Sequence, residues 1–163
     1  MEGGKGHPMK DLEDIYVENY LLGTKPAKSA PTIDPEKEIQ HLKRLFIDIH
    51  YGLKSFKRND VKLYTIARII RAEMFKVYNS INISLRKEKP IVDFSTMPLI
   101  KKIALIQGYI NSVKFSIDKL IDYYKTEGNE YVVKQLENSQ KNLSTPSKLF
   151  DKHMFIPYKE YLK

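Results

Sequence analysis

The sequence predicts an all-α domain of about five to six helices behind a flexible N-terminal tail, because apolar residues recur at helical spacing along most of the chain. Two further observations agree. Helix-start signals precede the periodic stretches, most clearly at Asp34–Pro35, and no segment alternates apolar and polar residues at period two between hairpin turns. With 163 residues and 42% hydrophobic content, the chain is long enough for one domain with a real core, expected over residues 34–163.

The opening MEGGKGHP holds three of the chain's seven glycines and reads as a flexible end. Lys10 to Leu22 has the spacing of a weak helix stopped by Gly23; it could dock on a partner or pack on its own domain. Residues 24–33, TKPAKSAPTI, read as linker, since Pro26 and Pro31 stand among small residues. Asp34 and Pro35 then give an N-cap and first-turn proline, with Ile39, Leu42, Phe46, Ile49 and Leu53 as a core stripe running to about Ser55. A second helix starts at Asp60 and ends either near Asn79 or at Leu85. Arg86 to Pro98 is a connector, with Ser95 or Thr96 capping a proline-led helix. In that helix Leu99, Ile103, Ile106, Ile110, Val113, Ile117, Leu120 and Tyr124 keep the period, Gly108 allows a close crossing, and Gly128 is the stop. Asn129 to Leu143 forms another helix, and Pro146 opens a short one before FIPYKEYLK.

Lys54 to Asn79 carries seven Lys or Arg against Asp60 and Glu73 alone. At about 100° per residue, Leu63, Ile66, Ile70, Met74 and Val77 share one stripe, while Tyr64, Arg68, Arg71, Phe75 and Asn79 share another. Alternating rings and guanidinium groups suit a nucleotide: rings stack on a base and cations meet phosphate. Arg58 and Lys62 flank the capped helix start, where free N–H groups favour an anion. The phosphate-binding candidates are therefore Arg58, Lys62, Tyr64, Arg68, Arg71 and Asn79, with Lys57, Lys76, Lys101 and Lys102 as template contacts and Lys114 a weaker one. An amphipathic helix with a solvated basic face would show the same pattern.

Other chemistry is sparse. His41 and His50 share a helix but stand roughly 13 Å apart along its axis, too far for one metal ion, and His50 reads as a core histidine. Asp48, Asp93, Asp118 and Asp122 read as caps or ion-pair partners, and no glycine-rich phosphate loop or nucleophile elbow is present. The chain has no cysteine, so disulfides, thiolate ligands and a thiol nucleophile are excluded within it. No metal and no catalysis by the chain alone are expected. The formal charge is +8, and residues beyond 33 carry +9, since the first 33 hold four lysines against five carboxylates; this basicity favours polyanionic partners. No apolar run approaches the roughly 20 residues of a membrane span, and a soluble intracellular protein is expected.

The order of these features resembles the C-terminal domain of the large subunit of archaeal and eukaryotic DNA primase. PEKEI at Pro35–Ile39 is similar to that family's proline-led helix start, with Glu38 where the first iron–sulfur cysteine would stand. Arg58 and Lys62 match its two cations four apart, VDFSTMP at Val92–Pro98 resembles the segment leading its long helix, and PSK at Pro146–Lys148 resembles its PSC motif. IPYKEYL at Ile156–Leu162 is similar to its terminal motif. The resemblance implies a helical fold that has lost the iron–sulfur cluster. It further implies a non-catalytic subunit of a heterotrimeric archaeal primase, working with the small catalytic and large subunits on a single-stranded DNA template. A nucleoside triphosphate would be its ligand, primer synthesis in DNA replication its role, and the cytoplasmic nucleoid its place. Two alternatives are a general helical single-stranded nucleic-acid-binding protein and a protein-interaction scaffold with a basic face.

Overall fold

The computed structural model describes residues 33–154, which are all-helical, with no strand among them. They form four helices: α1, Pro35–Lys54; α2, Val61–Ser80; α3, Leu99–Thr126; and α4, Glu130–Met154. The expected tail helix at Lys10–Leu22 and the terminal FIPYKEYLK lie outside the described residues.

α1 begins where the sequence signals it, Asp34 Oδ1 accepting from the Glu36 and Lys37 amides at 3.1 and 3.3 Å. α2 ends at the earlier of its two expected stops. Asn82 takes a left-handed φ of 56°, its N–H bonds to Asn79 O at 3.2 Å, and the Ile83 N–H reaches Tyr78 O at 3.0 Å, a double closure that satisfies otherwise orphaned carbonyls. α3 closes in the same way at Gly128, φ 74°, and Asn129 Oδ1 then caps α4 by accepting from Val132 N.

Three expectations need correction. α3 is not capped by Ser95 or Thr96: Ser95 bonds Asp93 through both its amide and its hydroxyl, and Pro98 takes the cap position without a side-chain bond. Pro146 opens no new helix but lies buried inside α4. Its missing N–H costs about 3 kcal/mol in an exposed helix, and the burial of Leu143, Phe150 and Met154 on either side outweighs that penalty. Ile39 and Leu99, in the first turns of their helices, are exposed rather than core. Gly108 lies buried within α3, and a close approach that the sequence did not signal is made at Gly52, where a Cβ would stand 3.0 Å from Ile106 and 3.2 Å from Phe94.

The helices close into a ring in which α1 and α4 each pack against both α2 and α3, with α2 on α4 the most extensive contact. Phe46, Ile49, Ile70, Met74, Ile106, Ile117 and Phe150 fill its centre. Ser116 and Lys119 of α3 meet Glu38 near the start of α1, while Lys102 meets Ser55 at its end, so α1 and α3 run antiparallel. The connector 81–98 must therefore travel back along the bundle, and α1 holds it as it does. Tyr51 donates to Glu88 O at 2.8 Å, Asp48 accepts from Ile91 N at 3.3 Å, Arg44 bonds Lys89 O, and Lys43 pairs with Glu88 at 3.2 Å.

Candidate functional site

The turn between α1 and α2 is anchored from below. Phe56 is buried, and Lys102 of α3 puts its Nζ 5.3 Å from the Phe56 ring and 3.3 Å from Ser55 O. Lys102 is only 4% exposed, and burial, with Lys57 nearby, lowers its pKa. The sequence placed it among the template contacts; its amine instead supports the turn that presents Lys57 and Arg58. At the other side of that turn Asp60 Oδ1 accepts from Leu63 N at 3.4 Å. A carboxylate thus already occupies the start of α2, which counts against seating a phosphate on those amides.

The cations gather one turn further on. Tyr64 lies with the Arg58 guanidinium 5.8 Å from its ring centroid and that of Arg68 at 5.7 Å. Its pKa is lowered, first by the Arg58 side chain donating toward its hydroxyl, then by the charges of Arg58, Arg68 and Arg71. Lys57, Arg58, Lys62, Arg68 and Arg71 make no ion pair with a described carboxylate. Lys57, Arg58, Lys62 and Arg68 are exposed and Arg71 is half-buried. The candidates are not all alike. Lys76 is engaged by Glu73 at 3.1 Å, Lys101 and Lys114 are half-buried on α3, and Asn79 stands exposed at the far end of α2.

Between Arg71 and Asn79 the same face of α2 opens on a groove of about 740 Å3, lined by His50 of α1, Phe75, Tyr78 and Asn79 of α2, and the chain from Asn82 to Arg86. Phe75 meets His50 and Tyr78 edge to face, with centroids 5.5 and 5.6 Å apart, and Tyr78 packs on Phe46 at 4.7 Å. The Tyr78 hydroxyl and His50 Nδ1 are buried without a hydrogen-bond partner among the described residues. Burial raises the Tyr78 pKa, so the hydroxyl remains a donor, and burial with the charges of Arg71 and Lys54 lowers that of His50 to about 4. Sequence reasoning missed both as site residues. His50 is no ordinary satisfied core histidine, and Tyr78 carried no signal because it follows Val77 of the core stripe and precedes Asn79 of the polar one.

Glu38, at the position likened to a cluster ligand, accepts from Ser116 Oγ at 2.7 Å and pairs with Lys119 at 3.5 Å. Among the described residues no group of three His, Asp or Glu could hold a metal ion, and no helix is long and apolar enough to cross a membrane. Fold and site together define a small helical domain with a basic, aromatic face on which Arg58, Lys62, Arg68 and Arg71 meet no carboxylate among the described residues. Comparison with protein-family models, curated proteins and solved structures gave no match.

Proposed function

We propose that this face binds the triphosphate of an initiating nucleotide, and that the protein serves as a non-catalytic accessory subunit of a DNA primase, akin to PriX, the third subunit of Sulfolobus-type primases. The observation that carries the reading is Tyr64 set between Arg58 and Arg68, with no described carboxylate to neutralise either guanidinium. Planar guanidinium forks match phosphate oxygens in pairs, which single lysines do not. With Asp60 on the helix start, the phosphate sits between Arg58, Lys62 and Arg68 rather than on the α2 amides. The motif order from Pro35 to Lys148 supports the primase part of the proposal, and so does the domain's helical character. Holding a nucleotide and a template in register lowers a bimolecular barrier by proximity, so such a subunit promotes primer initiation without bond-making groups of its own. The metals of phosphoryl transfer then belong to the catalytic subunit.

Titration with ATP, AMP and short single-stranded DNA tests the reading. The expected result is ATP bound more tightly than AMP, and that preference lost in Arg58→Ala and Arg68→Ala. Equal, negligible affinity for ATP and AMP sinks it. DNA binding without triphosphate preference would favour the general nucleic-acid-binding alternative, and no affinity for any of them the protein scaffold. Association with the small and large primase subunits is measured by co-purification, with and without residues 1–33.

A further inference from the structure

The groove at the far end of the α2 face holds two features that the triphosphate reading does not use. One is the pair of buried polar atoms, Tyr78 Oη and His50 Nδ1, with no partner among the described residues. Buried polar atoms in native proteins are nearly always paired with protein, water or ligand, and both residues line the groove, which makes it a place where a ligand atom can complete the pairing. The other is Phe75, a large ring left 43% exposed at the rim, beside the amides of Asn79 and Asn82. The volume of about 740 Å3 lies within the range of small-molecule sites. Phe75, Arg71 and Arg68 follow one another on successive turns of α2, at about 5.4 Å per turn, so a ring at Phe75 carries its phosphate toward the arginines.

We propose that this groove seats one unstacked nucleobase, which stacks on Phe75 and accepts a hydrogen bond at its edge from the Tyr78 hydroxyl, with the Asn79 and Asn82 amides reading the rest of that edge. A hydrocarbon or phenyl side chain from a protein partner would cover Phe75 equally well but would leave the Tyr78 hydroxyl unpaired. A base satisfies both. The proposal rests on the reading that the α2 face takes phosphate, but it concerns separate residues and can fail separately. The base belongs either to a mononucleotide or to a template strand, whose rings share this chemistry.

The test compares a short single strand with the same strand made abasic, at one salt concentration, together with ATP, adenosine and inorganic tripolyphosphate, on the full chain and its variants. The intact strand or ATP is expected to bind about tenfold more tightly than its base-free counterpart, in line with stacking of one base on an aromatic ring. Phe75→Ala removes that advantage. Tyr78→Phe reduces it several-fold without lowering Tm, since the variant keeps the packed ring and deletes only an unpaired hydroxyl. Tripolyphosphate binding is unchanged in both variants and lost in Arg68→Ala. A base advantage shown by ATP assigns the seat to a mononucleotide; one shown only by the strand assigns it to template. Equal affinity for intact and base-free ligands, or an unaltered advantage in Tyr78→Phe, overturns the seat and leaves the phosphate site standing. Adenosine bound in a Tyr78-dependent manner with no tripolyphosphate binding overturns the phosphate site and keeps the seat.

Discussion

Protonating His50 works against the packing around it. Its pKa in the fold is lowered from 6.5 to about 4, first by burial and then by the positive charges of Arg71 and Lys54. Between these two values the unfolded chain binds the proton and the folded chain does not, so stability falls as pH drops from about 6.5 toward 4 and is unaffected by this group above 6.5. His50→Gln should flatten that part of the Tm against pH curve relative to the wild type. An identical slope in the variant would show that other groups, His41 among them, carry the dependence. At this scale the sequence spoke unevenly. Tyr64 and Arg68 stand one turn apart on one helix, so their meeting is written in the spacing. The encounter of His50 with Phe75 joins two helices, and no spacing records it.

Helix ends were legible where the cap is local chemistry, though not at α3, where Ser95 turns to Asp93 instead of capping the helix. Asp34, Asp60 and Gly128 act as their residue types suggest, and the left-handed Asn82 follows the earlier of the two stops expected for α2. Asn82→Ala should lower stability by about 1 kcal/mol, the left-handed penalty for an ordinary residue, while Asn82→Gly should not. Chemical unfolding of the pair measures the difference. Pro146 misled for the opposite reason: its local preference is a helix start, and the buried residues flanking it on α4 override that preference. Gly52 gave no signal at all, since its constraint comes from Ile106 and Phe94 across the core. Replacing it by alanine gains about 1 kcal/mol of helix propensity and loses a similar or larger amount to crowding. Gly52→Val keeps only part of the first gain and adds two further methyl groups against packed side chains. It is expected to destabilise by about 2 kcal/mol or more, seen as a lower denaturant midpoint at an unchanged slope.

At the scale of the molecule, the basic face acts as a sum. If Arg58, Lys62, Arg68 and Arg71 each neutralise a phosphate of a single strand, the logarithm of affinity should fall with the logarithm of salt at a slope of about −3. Each Arg→Ala change should reduce that slope by about 0.7. A slope near zero would assign the face to a non-electrostatic role. The ring order of the four helices was not legible in the sequence, because it depends on where the connector runs, and the anchors that fix it, Tyr51 to Glu88 and Asp48 to Ile91, join residues some forty positions apart.

The return path of that connector also sets an order of events in time. The turn joining α3 to α4 forms from neighbours in sequence, whereas Ser84–Arg86, in the groove wall, lie between the end of α2 and residues 88–91, which are held on α1 by bonds across some forty positions. Long-range closures are slow to form and, with few buried contacts of their own, quick to open. Amide hydrogen exchange should therefore be faster in residues 83–91 than in the middle of α3. A ligand in the groove would slow it there first, making the connector a reporter of occupancy that needs no label.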